Sequence, residues 1–446
     1  MASEGARTAA TQPAVGVAPA AASVSSGYRS YALALLLAVY VLNFVDRQIL
    51  SILAEDIRKE IQLTDSALGL LAGIAFALFY TFAGIPIARW ADTGSRRTII
   101  ALAVFVWSGM TALTGFATSF GQLVAARVGV GIGEAGCSPP AHSLISDMFP
   151  PERRATALAV YSLGIPIGGA FGSLLGGWIG QNYGWRAAFM AVGLPGVLIA
   201  LVVRATLREV PRGGTETGPA AGTVPEASET VGQVLAFMTR LPSFLHMAFG
   251  ASLHAFYGYG AAFFIPVFLI RVHHLDKLEI GQWLFWIGLT TGVLGIFLGG
   301  AISDRLSAHD ARWYMRVPAI ASVIGIPFAL LFYLWPDPRI AILLSVPGAL
   351  LGGVYLGPTF AMTQTLVRPS MRALASAILL FIINLIGLGL GPTVVGILSE
   401  QLKPTYGDES VRYALLWVVV IGAGWATLHY LLAARTLRRD LQAKYA

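Results

Sequence analysis

The chain has 446 residues, of which 56% are hydrophobic and only 12% are charged. Soluble proteins carry about 25% charged residues, so this composition excludes an ordinary cytosolic enzyme, and it also excludes disorder for the bulk of the chain, which needs low hydrophobicity and high charge. The net charge of +7 raises nucleic acid as a partner, while the single cysteine, Cys137, rules out an intrachain disulfide and argues against a cysteine-built metal site.

Residues 1–27 hold no aromatic side chain and lack the basic start and apolar core of a signal peptide, so they are predicted to be a disordered cytoplasmic tail. Twelve apolar stretches follow, near 30–54, 66–89, 98–119, 121–146, 155–180, 187–204, 243–270, 280–303, 317–335, 340–366, 373–399 and 413–434. Most exceed the ~20 residues that cross a bilayer core as a helix. Period-2 alternation with regular turns is absent, so a β-barrel does not fit. The expected fold class is an all-α integral membrane protein with twelve transmembrane helices. A Gly-, Pro-, Thr- and Glu-rich stretch at about 208–232 reads as a flexible linker. It divides the chain six plus six: an N-terminal bundle over 28–207, a cytoplasmic linker over 208–240, a C-terminal bundle over 241–436 and a cytoplasmic tail over 437–446.

Orientation follows from Lys and Arg. With an inside N-terminus, twenty of the thirty fall in inner segments, eight in outer segments, and Arg47 and Arg127 within spans. Both termini are therefore predicted to be cytoplasmic, in the inner (cell) membrane. The basic charge reports topology, and no nucleic-acid partner is expected.

The halves repeat one another. Span two ends in Ala88-Arg89-Trp90-Ala91-Asp92-Thr93-Gly94-Ser95-Arg96-Arg97, and span eight in Gly300-Ala301-Ile302-Ser303-Asp304-Arg305. Span five carries Gly164, Pro166, Gly168, Gly169, Gly172, Gly176 and Gly177, and span eleven answers with Gly387, Gly389, Gly391, Pro392 and Gly396. Such duplication is the signature of transporters whose site lies between the halves near the midplane. At the end of span two, Asp92, Arg96 and Arg97 resemble the signature of the major facilitator superfamily, although Ala88 stands for its usual Gly, Thr93 for its usual Arg, and Gly94 is one place early. Asn43-Phe44-Val45-Asp46-Arg47 in span one, with Arg127-Val-Gly-Val-Gly-Ile-Gly-Glu134-Ala135 in span four, is similar to the Spinster subfamily of that superfamily. The resemblance implies two six-helix bundles, alternating access, and an amphiphilic lipid substrate of the lysophospholipid or sphingosine type.

Four charges remain inside the spans, at about 2.5–3.5 kcal/mol each for an ionised side chain at a helix centre. Asp46 and Arg47 lie in span one, and Arg127 and Glu134 lie seven apart on one face of span four. The simplest arrangement is a buried Asp46–Arg127 pair with Glu134 one or two turns below, and Arg47 free to reach Glu134 or an anionic ligand. They are either neutralised struts or a proton-coupling relay, in which an Arg that moves switches the proton affinity of Asp46 and Glu134. The relay is the expected reading, with protons as the coupling ion and no other cofactor.

Asp92, Arg96, Arg97, Asp304 and Arg305 sit at inner helix ends and are expected to form a cytoplasmic gate between the halves, the bland alternative being topology alone. Gly131, Gly133 and Gly136 spell a dinucleotide fingerprint, but it lacks the strand and helix start that nucleotide binding requires. No P-loop is present, which excludes an ATP-driven pump. Substrate contacts are expected from Asn43, Arg47, Glu134, His254, Tyr257, Tyr355 and Asn384. The expected function is a proton-coupled transporter, exporting a lipid or alternatively hydrophobic drugs or small organic anions. A lipid-modifying enzyme would need a nucleophile with a base or a metal cluster, and the sequence offers neither, so no enzyme activity, no catalytic residue and no metal are expected. The partners are the bilayer and the substrate, with the chain as a monomer.

Overall fold

The computed structural model describes residues 25–212 and 229–443. In chain order the helices are α1 (Ser26–Ile61), α2 (Asp65–Ala72), α3 (Ile74–Thr93), α4 (Arg96–Thr114), α5 (Phe120–Ala135), α6 (Ser138–Met148), α7 (Pro151–Ser162), α8 (Gly164–Thr206), α9 (Val231–Thr239), α10 (Pro242–Arg271), α11 (Lys277–Ser307), α12 (Trp313–Leu334), α13 (Pro338–Gly352), α14 (Leu356–Leu366), α15 (Arg372–Ile383), α16 (Gly391–Tyr406) and α17 (Ser410–Ala443). Most of the predicted tail 1–27, the middle of the linker 208–240 and the last three residues of the tail 437–446 lie outside the described residues.

Among the described residues, nine helical stretches are long and apolar enough to cross a bilayer. Two of them contain two passes each. Pro151–Thr206 turns at Gly184, whose φ of 83° suits only a residue without Cβ, and Leu374–Gln442 turns at the 3-10 segment Gly407–Glu409. α5 and α6 together make the remaining pass, so twelve result, as the apolar pattern predicts.

Several passes are broken. The second divides at Gly73, where a Cβ would stand 2.3 Å from the Gly389 carbonyl oxygen of the other half. The Gly73 amide still reaches Gly69 O at 2.9 Å, and the Ile74 amide donates at 3.4 Å to the hydroxyl of Thr393, which itself donates to Gly389 O at 2.9 Å. Irregular backbone at membrane depth is tolerated where protein satisfies it in this way. The fourth pass divides at Gly136 and Cys137, the tenth at Gly353, and the eleventh loosens into a π-helix over Asn384–Leu390.

The end of the predicted linker 208–240 holds a helix, α9. Thr230 and Gln233 close a capping box, and Val234 and Met238 of α9 bury into the C-terminal bundle. α17 likewise continues past 436, with Leu437 fully buried.

Twelve passes bring Ser25 and Ala443, the first and last described residues, to one face of the molecule, here the terminal end; the opposite face is the distal end. At the distal end one apolar cluster joins the halves, with Ile49, Ile52 and Leu53 of α1 packed with Phe264 and Phe268 of α10 and Val395 of α16. The α8–α11 seam closes there through small residues: a Cβ on Gly177 would meet Lys277 O at 2.4 Å, and one on Gly281 would meet Ser173 O at 2.5 Å. Toward the terminal end the core divides into one cluster centred on the N-terminal half and a large and a small one in the C-terminal half.

Candidate functional site

α1 and α5 place the four intramembrane charges together. Arg47 Nε donates to Glu134 Oε2 at 2.7 Å, with the Glu134 side chain fully buried and Arg47 17% exposed. Glu134 stands in the last turn of α5, just before the break at Gly136. Phe76 of α3 lies between the two cations, its ring centroid 4.9 Å from the Arg47 guanidinium carbon and 4.5 Å from that of Arg127. Phe44 and Tyr80 add faces to Arg47 at 5.1 and 4.9 Å. Cation–π contact of this kind strengthens when water is excluded.

The expected Asp46–Arg127 pair is not formed. Asp46 turns to α4 and accepts from the Thr111 hydroxyl at 3.1 Å, while Arg127 lies over Phe76 and pairs with no carboxylate among the described residues. A small cleft separates the two charges. Thr111 and Phe76 are contacts that sequence reasoning missed, because a Thr and a Phe in apolar runs carry no distinguishing signal.

The C-terminal half offers an apolar chamber. A cavity of about 380 Å³ lies among α10, α11, α12, α13 and α17. Tyr257 and Ser322 line one end and Phe332 and Tyr333 the other, and Gly325 and Gly348 leave open space in its wall. The predicted substrate residues divide accordingly. Arg47 and Glu134 meet in the charged site, and Tyr257 lines the chamber. His254 does not face it: its ring nitrogens lie 3.2 Å from Ser322 Oγ and 3.2 Å from Gly352 O, within reach of the Tyr257 hydroxyl, and Tyr355 stacks on it at 4.2 Å. Both residues pack inside the C-terminal bundle, behind the chamber wall formed by Tyr257, Ser322 and Gly352. Asn43 is buried on α1, and Asn384 begins the π-helix; neither lines the chamber.

At the terminal end stand the five residues expected to form the cytoplasmic gate. None of Asp92, Arg96, Arg97, Asp304 and Arg305 pairs across the halves among the described residues. Arg96 is fully buried and staples its own half, holding Asp147, Ser143 Oγ at 2.8 Å and Glu209 at 2.7 Å. Burial pushes the Glu209 carboxyl up, but bonds from the Arg97 amide, Arg96 and Ser95 outweigh it and hold the group below the usual carboxylate range. This support is therefore present at neutral pH and fades as the pH falls through that lowered range. Replacing Arg96 by Ala is expected to cost about 3 kcal/mol, seen as a lower unfolding temperature of the detergent-solubilised protein. Asp304 accepts from Tyr314 of its own half at 2.7 Å.

The latch that does join the halves is at the distal end, and its cations, Arg271 and Lys277, belong to the outer segments. Arg271 at the end of α10 donates to Glu55 of α1 at 2.7 Å and, through both terminal nitrogens, to Asp65 of α2 at 2.7 and 2.6 Å. Ser399 of α16 donates to Asp65 at 2.6 Å, and Lys277 of α11 pairs with Asp56 at 2.5 Å. The Ser51 hydroxyl donates to Phe263 O at 2.8 Å. Glu55, Asp65 and Arg271 are all buried, so the latch is a desolvated ion cluster rather than a surface pair. The molecule is thus latched at the distal end by buried ion pairs, while toward the terminal end its buried apolar residues fall into separate clusters.

The family model of the Major Facilitator Superfamily matches residues 36–392. The chain belongs to the major facilitator superfamily. An efflux pump of that superfamily from Mycolicibacterium smegmatis is 35% identical over 413 residues, covering 92% of this chain and 94% of the relative. Protein spinster homolog 1 of Homo sapiens is 26% identical over 426 residues, covering 90% and 80%. A crystal structure of a bacterial homologue of the human lysosomal transporter Spinster, inward-facing and unoccupied, is similar with a TM-score of 0.84 at 34% identity, covering 94% of this chain and 99% of that one. These relatives uphold the Spinster resemblance carried by Asn43–Arg47 and Arg127–Ala135. This major facilitator chain is a multi-pass membrane transporter, in a family of transporters rather than enzymes.

Proposed function

We propose that the chain is a proton-coupled secondary transporter that exports an amphiphilic lipid, of the lysophospholipid or sphingosine type, by alternating access. It works as a monomer in the inner (cell) membrane with both termini cytoplasmic, and its coupling ions are protons. In this orientation the structure is the inward-open state and the Arg271 latch is the outer gate.

One observation carries the reading. Along α10, Tyr257 and Gly258 line the apolar chamber, while Tyr259 packs with the cluster that holds Phe76 and Tyr80, the rings facing Arg47. A partly exposed cation and an apolar chamber of tail-like capacity thus meet on one helix. An anionic head group suits Arg47, whose release from Glu134 frees that carboxylate for a proton, and an acyl tail suits the chamber. Binding and protonation are linked because both draw on the same ion pair.

The test is chain-length dependence in proteoliposomes under a pH gradient. Gly325→Leu and Gly348→Leu fill the chamber, displacing two or more methylenes worth about 0.8 kcal/mol each. Transport of a long-chain lysolipid is expected to fall about tenfold while a short-chain analogue is little affected. Equal loss for both chain lengths would count against the chamber as the tail site.

The second reading, proton-coupled efflux of hydrophobic drugs or small organic anions, is favoured by the mycobacterial relative's name. Thermal-shift comparison of lysolipids, sphingoid phosphates and drugs, followed by counterflow with the best stabiliser, separates the two.

A further inference from the structure

α1, α2, α4, α5 and α8 enclose a cleft of about 20 Å³ whose polar lining comes from Asp46, Thr111, Thr114 and Arg127. Asp46 is 2% exposed. Its Oδ2 accepts from Thr111, but its Oδ1, Arg127 Nε and the Trp107 indole nitrogen near it are buried and make no hydrogen bond among the described residues. The Thr114 hydroxyl is committed to its own helix through Met110 O at 2.9 Å. Two opposite charges therefore face one small space without touching, each with a desolvated polar atom, a costly arrangement unless something joins them. A buried water requires roughly 10–15 Å³ and two to four polar partners. The cleft meets both conditions.

We propose that this cleft binds one structural water molecule, which accepts from Arg127 Nε and donates to Asp46 Oδ1, and that Thr111 is the positioning residue that holds the Asp46 carboxylate toward it. The site deepens the proton-coupling reading and rests on it for its role in transport. A direct Asp46–Arg127 pair would have to break before Asp46 took a proton. A bridged pair only reorients: protonated Asp46 donates from Oδ1, the water turns to accept, and the change of state reaches Arg127 through one molecule. The charged groups around Asp46 are Arg127 and Glu134 of α5 and Arg47 of its own helix. Leu71 of α2, Thr111 and Thr114 of α4 and Phe189 of α8 face the cleft, and none of them titrates as an acid or base in the working range.

Infrared pH-difference spectra of the full chain in liposomes test the site, with Asp46→Asn assigning the Asp46 carbonyl band and oxygen-18 water revealing a bound-water band. Thr111→Val removes a donor at nearly constant shape, and Val130→Ile adds a methylene to the cleft wall without touching a polar group. Each is expected to move the Asp46 midpoint upward by about one pH unit, because the carboxylate loses a hydrogen bond. Thr111→Ser restores the wild-type midpoint, and Val130→Ile also loses the water band. An unmoved midpoint in Val130→Ile, or a wild-type protein without the isotope-sensitive band, overturns the proposal. The readout needs no transport, so a titrating Asp46 band in a protein that ignores the pH gradient would sink the coupling reading and leave the water site standing.

Discussion

Glu134→Gln abolishes the response of transport to a pH gradient while substrate counterflow at equal pH persists. The amide has nearly the shape of the carboxyl group, and its oxygen still accepts from Arg47 Nε, so the bundle folds. What changes is charge. The 2.7 Å bond loses its ionic character, a difference of about 1–2 kcal/mol between a charge-assisted and a neutral hydrogen bond. The side chain also stops cycling between protonated and ionised forms. Arg47 is then held weakly whatever the pH, and gradient-driven accumulation is expected to drop about tenfold or more toward the level reached without a gradient. Proteoliposome uptake with and without an imposed pH difference checks this. Full retention of gradient-driven accumulation would remove Glu134 from the coupling machinery and leave the pair as a strut.

Arg271→Ala opens the distal end. Its guanidinium satisfies two carboxylates that are 1% and 0% exposed, Glu55 and Asp65. Removing one partner of a buried pair costs about 3–5 kcal/mol, because the remaining charge stays desolvated. The penalty falls on the latched state, where these groups are buried between the halves, and it is relieved when water enters. A change of that size approaches the ~5.5 kcal/mol that takes a two-state equilibrium from 1:99 to 99:1. The expected readout is labelling of Ser51→Cys, which sits in the latched seam, by an impermeant maleimide, in a background where buried Cys137 has been replaced by Ser. Labelling is predicted to accelerate at least tenfold. Combining Arg271→Met with Glu55→Gln and Asp65→Asn removes all three charges and should return labelling toward the slow rate. Unchanged labelling in Arg271→Ala would mean that apolar packing, not the ion cluster, holds the end closed.

The two predictions divide along what could be read from the chain alone. Glu134 and Arg47 stood out in the sequence because an ionised residue inside an apolar run is conspicuous, and so is its spacing from Arg127. Arg271, Glu55 and Asp65 did not stand out. They lie at span ends, where charges are ordinary, and only the folded molecule shows them meeting from three different helices. Phe76 and Thr111 are a stronger case of the same limit: neither residue type is unusual in a membrane helix, and their roles exist only through what stands opposite. The sequence also paired Asp46 with Arg127 by depth. Depth follows from counting 1.5 Å per residue, but azimuth depends on how α1, α4 and α5 pack, and the packing turned Asp46 to Thr111. His254 and Tyr355 show the same limit, since a polar residue in a span can face a chamber or a neighbouring helix at the same position in the sequence.

What the sequence by itself determined is the class and the plan: a twelve-pass membrane protein of two repeated halves, with a charged centre in the first half. These follow from composition, from runs long enough to cross a bilayer and from repeated motifs, all of which are local or periodic properties of the chain. The tertiary structure alone decided which end is latched, where the apolar chamber lies, and which buried charges touch. Those depend on distances between residues up to several hundred positions apart, set by helix packing to within a few tenths of an ångström, and a one-dimensional pattern contains no such distances.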